Sequence, residues 1–455
     1  MFVGRRKELE KLDNLYEKGK QALVCVYGRR RIGKTVLLEE FFRGKDGIRF
    51  ISFRGNSSLL FRSLTDMVSS FLAPDDAKYA FDNLDELFSF VFRKSIEKQF
   101  VFIIDEYAYL EEAFPETPSI LQKYIDLYKE KGKLFLILCS SSRSFMETKV
   151  MGQGSPLYGR RDLSLKLGPF GISETREMLP LLENDEDIFK VWAITGGIPL
   201  YLSLFTPYSD PDEAVKELFF SDTGYFVNEV SLMFLSENRS ASVYERICST
   251  IASGASKLSE IAEKAGITTA NASASLHSLE EIDIVKRETS FSPSPRKPVW
   301  RISDPLVSFW YRFCFPLSSY GEREKSAYYS VHITEFLGSA YERLAAKALP
   351  LILDGRIITE EGRWWGGNPA TRKEEEIDIA ARTMDGGLIV CECKYTVKDI
   401  SSGVIETLRR RAELIRKNED ITYIVFTKER TDLASPGFTF YSFHDVFRIL
   451  LEKSE

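Results

Sequence analysis

Histidine is scarce in this sequence, with three in 455 residues (His277, His332, His444). The six cysteines (Cys25, Cys139, Cys248, Cys314, Cys391, Cys393) are scattered, and no zinc-type spacing joins them to the histidines. Scattered thiols in a large chain argue against a disulfide framework and for a reducing cytoplasm. No apolar run approaches membrane-spanning length, and the start, "MFVGRRKELEKL", is charged rather than signal-like. Positive charge is not in excess either. A net charge of -6 and a pI of 5.6 give no global field for nucleic acid, so any such binding must come from local patches. No internal repeat or low-complexity tract appears. What is present builds cores: 44% hydrophobic and 13% aromatic residues, over a length that implies roughly two to four domains.

The apolar runs "ALVCVYG", "FVFIIDE" and "LFLILCSS" are short and β-rich, with amphipathic segments between them. That alternation predicts a parallel α/β sheet over residues 1–235. Residues 236–330 change character. "VYERICSTIASG", "KLSEIAEKAG" and "TTANASASLHSLEEIDIV" read as three short helices, and "KRETSFSPSPRKPVWRIS" as two strands around a Ser/Pro-rich tip. This is the order of a winged helix-turn-helix. "LSSYGEREKSAYY" (317–329) reads as a linker. Residues 331–455 return to α/β, with a helix at "FLGSAYERLAAKALPLIL", strands, a basic helix from Thr407 to Lys417 and the strand "ITYIVFT".

"GRRRIGKT", Gly28 to Thr35, fits GxxxxGK[ST] between a strand and a helix, the setting the pattern needs. Backbone N–H groups of such a loop surround phosphates. Gly28 and Gly33 allow close backbone approach, Lys34 would place its charge on the β- and γ-phosphates, and Thr35 would offer its hydroxyl to Mg²⁺. Arg31, Ile32 and Val36 complete the candidate nucleotide contacts. "FVFIIDE" ends in Asp105 and Glu106, a Walker B arrangement. Asp105 would hold the metal shell, and Glu106 would orient or deprotonate water.

With "FVGRRKELEKL" ahead of it, the loop resembles that of the archaeal-type P-loop ATPases, a branch of the AAA+/STAND group. The resemblance implies ATP and Mg²⁺ as ligands. It places Phe2, Val3, Gly4 and Arg5 near the base and ribose, and Ser140 or Ser141 of "ILCSSSRS" near the γ-phosphate. Arg160 or Arg161 becomes a sensing arginine, acting in cis or in trans, and Gly197 and Pro199 of "TGGIPLYL" match the GxP motif of a helical lid. The plainer readings are surface cations for the arginines and a helix stop for Gly-Gly-Ile-Pro.

In the helix-turn-helix segment the candidate recognition helix exposes small polar residues (Thr268, Thr269, Asn271, Ser273, Ser275). Bases gather at the wing (Lys286, Arg287, Arg296, Lys297, Arg301), balanced by Glu280, Glu281, Asp283 and Glu288. DNA binding and internal packing both fit.

The strand "LIVCECKY" carries Glu392 and Lys394 on one face and Cys391 and Cys393 on the other. Upstream, "EIDIAA" carries Asp378, and Asp385-Gly386-Gly387 turns the chain back. Such a hairpin brings Asp378 to Glu392 and Lys394, and two close carboxylates are suited to a divalent cation. This resembles the Asp…Glu-x-Lys signature of the PD-(D/E)XK nuclease-like superfamily, with Ile377 in place of the nominal proline. By that resemblance Glu342 in "GSAYERLA" supports the metal and Lys394 assists cleavage. Glu392 and Lys394 also fit a simple ion pair. Arg409, Arg410 and Arg411 would track a phosphate backbone or form a solvated helix face. The expected fold is thus multidomain α/β: a P-loop sheet with a helical lid (1–235), a winged helix with linker (236–330), and a restriction-endonuclease-like domain (331–455). The expected partners are ATP or ADP and DNA, with no membrane, and self-association or a protein partner left open. The rival is a regulatory or signalling ATPase whose last domain only binds.

Overall fold

The computed structural model describes residues 2–74, 80–236, 241–291, 298–369, 371–395, 401–433 and 435–453. Arg296 and Lys297 of the expected wing lie outside the described residues. The chain forms two compact units: Met1–Pro169 with Ile198–Leu200, and Phe170–Gly197 with Tyr201–Glu455.

The first unit is built on five parallel strands: β1 (Ala22–Tyr27), β2 (Gly47–Ile51), β3 (Phe100–Asp105), β4 (Leu134–Ser140) and β5 (Leu163–Lys166), in the order β2-β3-β4-β1-β5. Every residue of β1, β3 and β4 is buried. A parallel sheet covered on both faces needs unbroken apolar strands, and these three runs supply them. β1 leads through the glycine loop into α1 (Lys34–Phe42). Two further helices, α2 (Tyr107–Ala113) and α3 (Thr117–Tyr128), follow β3.

The second unit opens with α4 (Ile172–Met178) and α5 (Asp185–Thr195). After them comes α6 (Pro199–Phe205), whose first two residues belong to the first unit. Beyond further helical segments between residues 211 and 236 come α7 (Ala241–Ala252), α8 (Leu258–Lys264) and α9 (Thr269–Glu281), then the antiparallel pair β6 (Val285–Glu288) and β7 (Val299–Ile302). Thr268, Thr269 and Asn271 are exposed at the start of α9, as the sequence suggests, while Lys286 and Arg301 are both paired with Glu288.

The expected linker is corrected: α10 runs from Glu322 to Ile352 and so takes in the second half of 317–329. The cause is tertiary. Tyr329 is 2% exposed and donates its hydroxyl to Asp212 at 2.6 Å. Burial of the Tyr329 ring and this hydrogen bond outweigh the polar composition of the segment.

The second sheet is mixed: β8 (Ile358–Asn368), β9 (Lys373–Thr383), β10 (Leu388–Lys394), β11 (Ile421–Thr427) and β12 (Phe438–Ser442), ordered β12-β11-β10-β9-β8. β8, β9 and β10 are antiparallel neighbours, while β11 and β12 run parallel to β10. The basic helix α11 spans Ser402–Glu413, starting and ending earlier than the sequence suggests, and α12 (Phe443–Glu452) closes the chain. Phe189 of α5 packs its ring 5.5 Å from Tyr395 and 5.4 Å from Phe443. All three are buried, and offset aromatic clusters of this kind stabilise beyond their area alone. Among the described residues no helix is long and apolar enough to cross a membrane.

Candidate functional site

Two groups of chemistry-bearing residues form, one in each unit. In the first, the glycine loop closes over the end of β1. Gly28 has φ 155°, and a Cβ there would lie 2.5 Å from the Leu167 carbonyl, so no side chain fits. Gly33 (φ 88°) and Arg31 (φ 70°) take left-handed conformations that fold the loop on itself. Ile32 is buried, and Thr35 and Val36 are exposed on the first turn of α1. The Lys34 ammonium is buried, donating to the Gly28 carbonyl (2.8 Å), the Arg29 carbonyl (3.1 Å) and Ser141 Oγ (3.0 Å). Burial lowers its pKa, while the neighbouring Cys139, Glu106 and Asp105 pull the other way.

Asp105 ends β3, and its Oδ1 accepts the Glu106 N–H at 3.1 Å. Glu106 itself is left-handed (φ 51°, ψ 48°), a costly state for a non-glycine residue and one concentrated at functional positions. Its carboxylate accepts the Ser141 N–H at 3.1 Å and the Ser141 hydroxyl on its other oxygen. Ser141 thus ties Lys34 to Glu106, and the buried Ser140 ends β4 just before it. Phe2 and Val3 are half-buried. Arg5 donates to the carbonyls of Ile32 (3.4 Å) and Gly168, fastening the N-terminal segment to the loop. Pro199 stands against Gly33, 3.8 Å from where a Cβ would be. Arg160 is held by Asp126 of α3 through two bonds of 2.8 and 2.7 Å, and Arg161 is exposed. The sequence brought both arginines forward, and the structure gathers neither with Lys34.

In the second unit, β9 and β10 pair with Ile379 opposite Cys391. One step further on, Asp378 faces Glu392, and Asp378 accepts the Cys393 N–H at 2.8 Å. Glu392 is 6% exposed and accepts from Lys394 (2.6 Å) and from Arg411 of α11 (3.3 Å). The ion pair that a plain reading of the strand suggests therefore exists, within a larger constellation. Glu342 of α10 is paired with Arg363 at 3.4 Å, which also holds Glu376 at 2.8 Å.

Burial, then Glu392, then Glu342 push the Asp378 carboxyl up to about 7. Burial likewise raises Glu342. Burial pulls Lys394 down, but Glu392 outweighs it and the ammonium ends above the usual lysine value. Of the three arginines suggested as a solvated face, Arg409 and Arg410 are exposed and Arg411 is half-buried, and Arg410 and Arg411 also donate to the buried Glu375, at 3.1 and 3.3 Å. Among the described residues no three of His, Cys, Asp or Glu are grouped closely enough to hold a metal as they stand.

Residues 2–205 match the model of an ATPase domain predominantly from Archaea. The chain carries an ATPase domain. Residues 310–405 match a second family, described as Archaea bacterial proteins of unknown function. Over 434 residues, 92% of each chain, the ATPase is 28% identical to the uncharacterized protein MJECL04 of Methanocaldococcus jannaschii. A 45-residue stretch, 10% of this chain and 76% of the other, is 47% identical to the uncharacterized ATP-binding protein MJ0423 of the same organism. The Walker-type ATPase PABY2304 of Pyrococcus abyssi shares the fold, with a TM-score of 0.51 at 21% identity, over 68% of this chain and 96% of that one.

Sequence reasoning about the ATPase left Arg363, Glu375 and Glu376 unassigned. Glu376 was within reach, since it lies two residues before Asp378 on the same strand face. Arg363 sits at a register shift in β8, between Gly362 and Trp364, that no local signal marks.

The raised Asp378 carboxyl gives a testable pH dependence. A folded-state pKa above the ordinary aspartate value means the folded chain binds the proton more tightly than the unfolded one. Its contribution to stability is full at low pH and is lost as pH rises towards about 7. Thermal midpoints of Asp378→Asn should therefore fall less than those of wild type between these limits. Parallel curves would contradict the assignment.

Proposed function

We propose that the protein is an ATP-driven switch of the AAA+/STAND kind. Nucleotide turnover would govern a carboxylate–lysine centre that cleaves DNA. In this reading residues 1–235 are the ATPase with its lid, 236–330 a winged helix, and 331–455 a PD-(D/E)XK-like nuclease domain in a cytoplasmic protein. In the ATPase, Lys34 carries positive charge to the β- and γ-phosphates, Glu106 takes the proton of the attacking water, and Ser141 orients Glu106. The exposed Thr35 hydroxyl and the Asp105 carboxylate are hard oxygen donors that fit Mg²⁺ and would hold it. Phe2, Val3 and Arg5 would contact the base and ribose, and Pro199 beside Gly33 would report the state of the site.

That report has a covalent route. Residues 198–200 belong to the first unit, and the chain on both sides of them belongs to the second. Gly197 (φ 74°) is fixed there, since a Cβ would fall 2.1 Å from the Phe170 carbonyl. α5 ends two residues before it, and its Phe189 packs on Tyr395, the residue after Lys394.

The observation that carries the cleavage reading is that partial burial and the crowding of Asp378 by Glu392 and Glu342 hold its carboxyl up to about 7. Acids kept together at such a cost are typical of functional sites. All three offer oxygen donors that fit Mg²⁺ or Mn²⁺, which would supply a Lewis acid for phosphodiester hydrolysis. Lys394 would position the attacking water or stabilise charge on the phosphate.

A second reading is favoured by a different observation. No three acids are spaced to hold an ion among the described residues, and Glu392 is already engaged by Lys394 and Arg411. On that reading the C-terminal domain binds without cutting. Incubating supercoiled DNA with the full chain, Mg²⁺ and ATP separates the two. Nicking lost in Asp378→Ala supports the first. Retention of DNA at low salt without strand breaks supports the second.

A further inference from the structure

One cation beside the acid centre has no part in the roles above. β8 and β9 pair Gly362 with Ala380 and then Trp364 with Ile377, so the register shift leaves Arg363 across from Asp378 and Ile379. From there its guanidinium reaches two acids, Glu342 of α10 at 3.4 Å and Glu376 of β9 at 2.8 Å. The two acids satisfy only part of it, since Nε is buried without a hydrogen-bond partner among the described residues. Burial works against its charge, but Glu342, Glu376 and Asp378 outweigh burial and hold the proton on.

The backbone of the same residue is fastened from the other side. The Arg363 carbonyl accepts the Phe291 N–H at 2.9 Å. Ser290 Oγ accepts the Trp365 N–H at 3.0 Å and donates to the Trp365 carbonyl at 2.9 Å. Phe291 is 3% exposed and belongs to one core with Trp364, Ile377 and Val390. Ser290 and Phe291, which follow β6, thus cover part of the outer edge of β8, the last strand of its sheet. The edge is pinned where its register is irregular, at the residue whose side chain meets the acids.

Glu342 is one of the three acids that the cleavage reading assigns to a divalent ion. A guanidinium on that carboxylate opposes the ion twice, by taking an oxygen donor and by its charge. We propose that Arg363 is a built-in competitor of the divalent ion, kept on the acids by the Ser290–Phe291 latch, so that metal binds when the latch lets Arg363 withdraw. The inference rests on the metal reading of this centre and supplies its regulation: a change at the edge of β8 switches the acids from arginine to metal.

The test is calorimetric titration of Mn²⁺ into the nucleotide-free full chain, for wild type, Arg363→Met, Arg363→Lys and Ser290→Ala, with thermal midpoints taken with and without Mn²⁺. Binding is assigned to this centre by its loss when Asp378→Ala is added. Arg363→Met should bind Mn²⁺ at least about tenfold more tightly than wild type, because one positive charge has left the acids. Arg363→Lys keeps the charge and should stay near wild type, and Ser290→Ala should fall between wild type and Arg363→Met. The repulsion among the acids left by Arg363→Met should lower its midpoint, and Mn²⁺ should raise that midpoint by more than it raises the wild-type one.

Equal Mn²⁺ affinity in wild type and Arg363→Met would overturn the competition and leave the metal reading standing. Wild-type affinity in Ser290→Ala would overturn the latch. No Asp378-dependent binding in any of the four proteins would overturn both the competition and the metal reading. Should Arg363→Met fail to fold without metal, its recovery in Mn²⁺ supports the competition, and failure to recover in Mn²⁺ contradicts it.

Discussion

Glu106→Gln should lower ATP turnover by about 10²- to 10⁴-fold, the range for loss of a general base, while ATP still binds. The substitution keeps the size and shape of the side chain but removes its capacity to take a proton. Nucleotide affinity rests on the loop, with the Lys34 ammonium near the Gly28 and Arg29 carbonyls, and that part is untouched. The geometry explains why the effect should be large. The carboxylate is fixed by two bonds from Ser141 and by a left-handed backbone at the tip of β3, so it is held in one position. Steady-state phosphate release and equilibrium binding of a fluorescent ATP analogue would separate the two effects. Wild-type turnover in Glu106→Gln would remove Glu106 from the mechanism.

Lys394→Ala should reduce DNA nicking by about 10²- to 10⁴-fold, with ATP hydrolysis unchanged. Lys394 is the closest cation to Glu392, at 2.6 Å, and its charge also acts on Asp378. Removing it leaves Glu392 with Arg411 at 3.3 Å, so the carboxylate keeps a partner and the strand keeps its fold. What is lost is an ammonium beside Asp378 that is partly open to solvent, and with it the group that would meet water or phosphate. Lys394→Arg restores charge but not the compact ammonium, and so should recover only part of the rate. Nicking at the wild-type rate in Lys394→Ala would assign that activity to other residues.

Much of this was legible in the chain itself. The runs that became β1, β3, β4 and β11 are short and apolar, and their observed bounds agree with the reading to within a residue or two. The turn at Asp385-Gly386-Gly387 set the hairpin whose register brings Asp378 to Glu392. The glycine loop, Asp105 and Glu106 also followed from pattern and context.

Other features depend on distant partners and had no local mark. Arg410 and Arg411 read as a helix face without the partner Glu375, which lies 35 and 36 residues away in sequence. Arg160 stood out by type and order, whereas its pairing through Nε and Nη2 with Asp126, 34 residues away, had no local mark. The polar stretch before Tyr329 looked like a linker because hydroxyl burial against Asp212 is a tertiary event. Ser141 was placed near the phosphate by type and order, but its role as the bridge between Lys34 and Glu106 needed coordinates.

The central claim is that nucleotide state controls the carboxylate–lysine centre. Its most direct test is single-turnover nicking of supercoiled DNA by Glu106→Gln in Mg²⁺ with ATP, ADP or no nucleotide, beside wild type. The account predicts sustained nicking by Glu106→Gln with ATP alone, and wild-type nicking that stops as ATP is consumed. Equal nicking in all three conditions, or none with ATP firmly bound, would contradict it.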